Sequence, residues 1–215
     1  MGKTKQAKRI LHGGKTVMKT LVACEFSGIV REAFKRKGHD AWSCDILDTE
    51  IPGQHIKDDV LKHLNDGWDM MIAHPPCTYL SNVGVKHLYT NPDRTWLMLD
   101  ARHFFMKLYK SKINKIAIEN PLPHRYAQLP HYDQIIEPRY FNEFGDKRTC
   151  LWLKNLPPLM STCVYPKGER YIMKNGKSNG SKWYMLDTIT NGHERSRFWN
   201  GIANAMAKQW GEYTS

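Results

Sequence analysis

The sequence has no apolar run approaching the roughly 20 residues that cross a bilayer, and its first residues lack the continuous apolar stretch of a secretory signal. Neither a membrane-anchored nor an exported protein is expected. The five cysteines, Cys24, Cys44, Cys77, Cys150 and Cys163, are odd in number and form no close pair. That spacing suggests neither a disulfide framework nor a zinc site, so a reducing, cytoplasmic compartment is the expectation. Internal repeats and low-complexity tracts are missing as well. Acidic residues are absent from residues 1–19, which hold Lys3, Lys5, Lys8, Arg9, Lys15 and Lys19. Residues 1–18 also have few apolar side chains to offset their ordering entropy and read as a flexible basic arm. Gly13-Gly14-Lys15-Thr16 lacks the first glycine of a phosphate-binding loop, and no strand precedes it, which sets aside a nucleotide site there.

What is present is basic charge. The 215 residues carry 32 Lys and Arg against 21 Asp and Glu, a formal net charge of +11 with a sequence pI of about 9.4. This balance favours a polyanionic partner, nucleic acid before an anionic membrane surface, although a solvated basic surface would give the same total.

Short apolar runs alternate with helical patterns. Strands are predicted over Thr20 to Cys24, Asp40 to Ile46, Asp69 to Ala73 and Lys115 to Ile118. Helices are predicted over Ile29 to Lys37 and Thr95 to Tyr109, the latter with Trp96, Leu99, Phe104, Phe105 and Leu108 on its apolar face, and a short helix or helical turn over Asp59 to Leu64. Such alternation implies right-handed crossovers and an α/β fold with a doubly wound, mostly parallel sheet. Tyr140 to Leu153 reads as strand, turn and strand, and Asn200 to Trp210 as a closing amphipathic helix. The expected organisation is an arm (1–18), a catalytic core (19–154), a small basic insertion (155–192) and a C-terminal helix rejoining the core (193–215).

Ligands of such sheets bind at the carboxyl ends of the strands. There this sequence places Ser27-Gly28, Asp45, Pro75-Pro76-Cys77 and Glu119-Asn120-Pro121. The two prolines fix φ twice and offer no backbone donors, so they end a strand and hold out Cys77 as a candidate nucleophile. A small buried hydrophobe is the other reading of that cysteine. His74 precedes the prolines and points to the opposite face of an extended segment, as a packing residue. A Gly28 turn followed by an acidic end on the next strand suits an adenosine-type cofactor. Val30 and Glu32 stand where further glycines would cradle a pyrophosphate, which disfavours NAD and favours a phosphate-free cofactor such as S-adenosylmethionine. Asp59 could accept from an adenine amino group or simply cap a helix. Glu119 could end a strand or, beside a cysteine, complete a nucleophile and acid pair able to open an aromatic ring.

These residues together resemble the DNA cytosine-5 methyltransferases. Glu25-Phe26-Ser27-Gly28-Ile29, with Glu32-Ala33-Phe34 and Lys37-Gly38-His39, is similar to the family's opening cofactor motif. Asp45 and Asp59 match its next two acidic positions, Pro75-Pro76-Cys77 its catalytic motif and Glu119-Asn120-Pro121 its Glu-Asn-Val motif. Phe144-Gly145-Asp146-Lys147-Arg148 is a weaker match to the arginine segment, and Phe198 to Met206, with Gly201, Ala203 and Asn204, resembles the closing cofactor motif. The resemblance covers most of residues 20–153 and the last turns of the chain.

It implies a Rossmann-like methyltransferase fold and S-adenosylmethionine held by Phe26, Ser27, Gly28, Ile29, Asp45, Ile46, Asp59, Val60, Pro75, Ala203 and Asn204. It also implies catalysis by Cys77, Glu119 and Arg148, with Cys77 attacking C6 of a flipped-out cytosine in DNA. For Arg148 a surface ion pair is equally open. Residues 78–91, with Gly84, Lys86 and His87, would form a loop closing over the base. Against the family's pattern, the recognition region is much reduced. Only Asn155 to Gly192 is available, where Lys167, Arg170, Lys174, Lys177, Lys182 and Trp183 mix phosphate-binding charge with a stacking surface. A basic surface loop is the plainer account of that stretch. The same ring chemistry on RNA or a free pyrimidine nucleotide, and a catalytically idle nucleic-acid-binding relative, are the alternative functions.

Overall fold

The computed structural model describes residues 9–10, 16–82, 85–88, 91, 93–143, 147–163, 170–172, 178–181 and 197–213. Its centre is a seven-stranded sheet of β1 (Lys19–Ala23), β2 (Asp40–Asp45), β3 (His55–Lys57), β4 (Met70–Ala73), β5 (Lys115–Pro121), β6 (Gln134–Ile136) and β7 (Thr149–Lys154). The spatial order is β3-β2-β1-β4-β5-β7-β6. Strands β3 to β5 run parallel in that array, and β7 lies antiparallel to both β5 and β6. This is the doubly wound, mostly parallel α/β architecture that the sequence leads one to expect.

Central strands buried on both faces must be apolar throughout. Met70, Met71, Ile72 and Ala73 are all fully buried, and they alternate between two cores. One core joins Val22, Met70, Ile72, Ala117 and Leu151 to helices α1 (Ile29–Arg36) and α3 (Asn200–Gln209). On the opposite face, Leu21, Ala23, Met71, Ile116, Ile118 and Trp152 pack with Phe105 and Leu108 of α2 (Asp93–Tyr109). Gly201 lets α3 pass close to the loop after β6, because a Cβ there would collide with the Phe141 carbonyl oxygen. Strand order reverses between β1 and β4, so the crevice at their carboxyl ends is the switch point where such sheets bind ligands.

Several details depart from the sequence reading. Strands β3 and β6, three residues each, carry too little periodicity to register. Tyr140 belongs to a 3₁₀ turn, Pro138–Phe141, and not to a strand. Of the short helix or helical turn expected over Asp59 to Leu64, the turn is what forms, as a single 3₁₀ turn at Val60–Lys62. On α2, Trp96 and Leu99 face solvent, at 71% and 40% exposure, and Met98 is buried instead. Part of the arm is ordered: Arg9–Ile10 pairs antiparallel with Thr16–Val17, and Met18 is buried. The first residues of the expected insertion belong to the core, since Leu156 and Leu159 are buried and Trp210 donates to the Pro157 carbonyl at 2.9 Å. Further on, β8 (Arg170–Ile172) pairs with β9 (Ser178–Ser181). Among the described residues no helix is long and apolar enough to cross a membrane.

Candidate active site

After β1 the chain turns at Cys24, with φ of 58°, and Glu25 buries its carboxyl beneath the start of α1. Its two oxygens accept from the Val30 amide at 2.6 Å and the Arg31 amide at 3.2 Å, so this carboxyl satisfies helix donors that Gly28 has no side chain to cap. Burial raises the Glu25 pKa, while His74, those amides and Arg31 act to lower it. Ser27, also buried, donates to Glu25 at 3.4 Å and accepts from the Ile29 amide. Gly28 adopts a left-handed φ of 77°, and a Cβ there would sit 2.6 Å from the Arg31 guanidinium. The glycine thus tolerates the left-handed turn and leaves room for Arg31.

Arg31 was no part of the sequence reading. It is fully buried and donates to Ser43, Thr49 and the Ile51 carbonyl, fastening the loop after β2. That loop carries Asp45, which accepts from the Leu47 amide at 2.9 Å, and Ile46, 74% exposed beside it. An exposed isoleucine next to a carboxylate offers a purine ring an apolar face and its ribose an acceptor. Asp59 caps the 3₁₀ turn by accepting from Leu61 at 3.0 Å, and Val60 behind it is buried. Of the alternatives for Asp59, the cap is formed.

Strand β4 delivers the double proline. Pro75 is buried, and its carbonyl accepts from Asn120 of β5 across 2.7 Å. Cys77 follows, half-buried, its carbonyl accepting from Leu80 and Ser81 in a tight turn. Burial pushes the thiol pKa up, Lys147 pulls it down, and Glu119 pushes it up again. Burial pushes the Cys44 and Cys150 thiols up to about 11, which disfavours their thiolates.

Glu119 contacts His74, with Oε2 3.2 Å from Nδ1. The expectation that His74 merely packs is therefore corrected: its ring meets Glu119, which reaches it from the neighbouring strand β5. Its ring also lies 4.4 Å from Phe198. Cys24, Glu25, Phe26, Ser27, His74 and Phe198 line a small cleft between the ends of β1 and β4.

No family model and no curated protein matches this chain. Among solved structures it is similar to a protein described as a DNA modification methyltransferase encoded within an E. coli prophage, at 15% identity and a TM-score of 0.45. The match covers 70% of this chain and 52% of that one, so the chain spans about half the length of that structure.

Other expected site residues lie apart from this cluster or beyond the described residues. Arg148 is 62% exposed and pairs with Glu137 at 3.3 Å, the surface ion pair left open by the sequence. Ala203 is buried within α3, and Asn204 accepts from Arg36 in the last turn of α1, the end remote from the cleft. Arg170 stands on β8, whereas Lys167, Lys174, Lys177, Lys182 and Trp183 lie outside the described residues, as do Gly84 and Phe144 to Asp146. Lys147 stands inside the arginine motif, where the sequence alone assigns it no role. Its adjacency to Arg148 was the signal, since two consecutive cations leave open which one faces the thiol.

Proposed function

We propose that this chain methylates C5 of cytosine in DNA through a covalent adduct between Cys77 and C6 of the base. The observation that carries this reading is geometric: Cys77 follows β4 and Glu119 lies near the end of the adjoining parallel strand β5, and Asn120 ties the two segments through the Pro75 carbonyl at 2.7 Å, beside the switch point of the sheet. The buried, unpartnered Nε2 of His74 in the cleft beside the end of β1 fits a cofactor with a polar end and no phosphates. S-adenosylmethionine, when bound, supplies the methyl group that C5 takes up. Phe26, Ser27 and Gly28 would hold it at the end of β1, with Asp45 for the ribose hydroxyls and Ile46 against the adenine.

Cys77, as thiolate, attacks C6 of a base flipped out of the duplex. Glu119 hydrogen-bonds N3 and draws the electron pair into the ring, which makes C5 nucleophilic. Loss of the C5 proton then expels Cys77 and restores aromaticity. Lys147 opposes the rise in thiol pKa caused by burial, and so favours the attacking form. The basic net charge suits a DNA backbone.

The test is incubation with labelled S-adenosylmethionine and duplex DNA, single-stranded DNA, RNA or dCTP, with Cys77→Ser as control. Label in DNA cytosine that vanishes with the variant is expected. Label in RNA or dCTP alone would overturn DNA as substrate, and equal labelling by the variant would overturn the covalent route. DNA containing 5-fluorocytosine should trap an adduct at Cys77 and nowhere else.

A further inference from the structure

His74 touches both halves of the site. Its backbone amide donates to the Ala23 carbonyl at 2.9 Å, which holds the residue against the end of β1. Its Nδ1 meets Glu119 at 3.2 Å. Its Nε2 is buried and has no hydrogen-bond partner, although the ring lines the cleft with Glu25, Ser27 and Phe198. A buried ring nitrogen without a partner carries a desolvation cost that a ligand group can relieve. The ring lies tilted against Phe198, with centroids 4.4 Å apart.

The strand order says which end of a cofactor would arrive there. Asp45 closes β2 on one side of β1, and His74 follows β4 on the other. A ribose held at Asp45 leaves the far end of the molecule over the β1 to β4 crevice. In S-adenosylmethionine that end is an amino acid, and a zwitterion suits a cleft holding one carboxyl and one ring nitrogen.

Resting on the methyltransferase reading, we propose that His74 is a positioning residue joining the two half-sites: Nδ1 fixes the base-holding carboxyl of Glu119, and Nε2 receives the amino-acid end of the cofactor. Occupation of the cleft then orders the same ring that orders Glu119. Cofactor binding thereby prepares the base pocket before a cytosine enters it.

The test uses two ligands that differ at that end. S-adenosylhomocysteine keeps the amino acid, whereas 5′-methylthioadenosine lacks it. Titration calorimetry on the full chain should show His74→Phe binding S-adenosylhomocysteine about tenfold or more weakly, as expected for loss of a bond to a charged group. Binding of 5′-methylthioadenosine should change less than about twofold. His74→Gln, which keeps a polar atom near Nε2, should recover part of the loss, and it serves in place of His74→Phe if that variant does not fold. In the wild-type protein labelled with 15N-histidine, S-adenosylhomocysteine should shift both ring nitrogens of His74, and Glu119→Gln should shift Nδ1 without ligand. Equal losses on both ligands, or unchanged affinity for S-adenosylhomocysteine, would overturn the inference and leave the methyltransferase reading standing. Failure of the wild-type chain to bind S-adenosylhomocysteine would instead remove the cofactor reading, and this inference with it.

Discussion

Asn120 Nδ2 donates to the Pro75 carbonyl oxygen across 2.7 Å, and this buried bond ties β5 to the double-proline turn that carries Cys77. Neither proline offers an amide to the sheet, so the turn depends on bonds made to its carbonyls. Asn120→Ala leaves the Pro75 oxygen buried without its donor. The expected cost is about 1–3 kcal/mol of stability in urea unfolding. Adduct formation on 5-fluorocytosine DNA should slow at the same time. An unchanged unfolding midpoint would mean that other contacts hold the turn.

Gly28 and Gly53 test one neighbour in two ways. A Cβ at either position meets the Arg31 guanidinium, at 2.6 Å and 2.8 Å, but only Gly28 has a left-handed φ. Gly28→Ala adds backbone strain of about 1–2 kcal/mol to that collision. Displacing Arg31 also loosens the loop holding Ile46, since Arg31 bonds Thr49 and the Ile51 carbonyl. Thermal melts should therefore rank wild type above Gly53→Ala above Gly28→Ala, and Gly28→Ala should bind S-adenosylhomocysteine more weakly. The reverse ranking would rule out strain at Gly28.

Glu25 should give stability an unusual pH slope. Burial raises its folded pKa above the ordinary 4.5, against the opposing pull of His74 and two amides. Above pH 4.5, and up to that raised value, the folded chain binds more protons than the unfolded one, so stability falls as pH rises and then levels. Glu25→Gln exchanges no proton and keeps one acceptor for the helix amides. Its stability relative to wild type should therefore rise with pH from about 4.5 upward. Parallel urea curves between pH 4 and 8 would refute this origin of the slope.

The central strands were legible because burial on both faces leaves a mark that needs no partner: Met70 to Ala73 can hardly be anything else. Short strands such as His55–Lys57 leave none, because their place is set by pairing with β2. The site divides along the same line. Gly28 and Cys77 follow strand ends, and Glu119 lies two residues from the end of β5, so all three could be placed from order alone. Residues that act by reaching across, such as His74 to Glu119 over 45 positions or Arg31 to Ile51, depend on register and rotamer. The same limit explains α2, where Trp96 fits a helical stripe in sequence but the axis turns it to solvent.

Lys147 and Glu119 should move the reactivity of Cys77 in opposite directions. The thiol pKa is raised above its ordinary 9.0 chiefly by burial, with Lys147 lowering it and Glu119 raising it. Only the thiolate alkylates, so the rate against pH follows the thiol's titration. Removing the cation in Lys147→Met should shift the curve for iodoacetamide modification of Cys77 to higher pH. Removing the anion in Glu119→Gln should shift it to lower pH. Peptide mapping reads Cys77 apart from Cys24, Cys44, Cys150 and Cys163, and the assay needs neither cofactor nor DNA. If Arg148→Met moved the curve and Lys147→Met did not, the cation serving the thiol would be Arg148, released from Glu137.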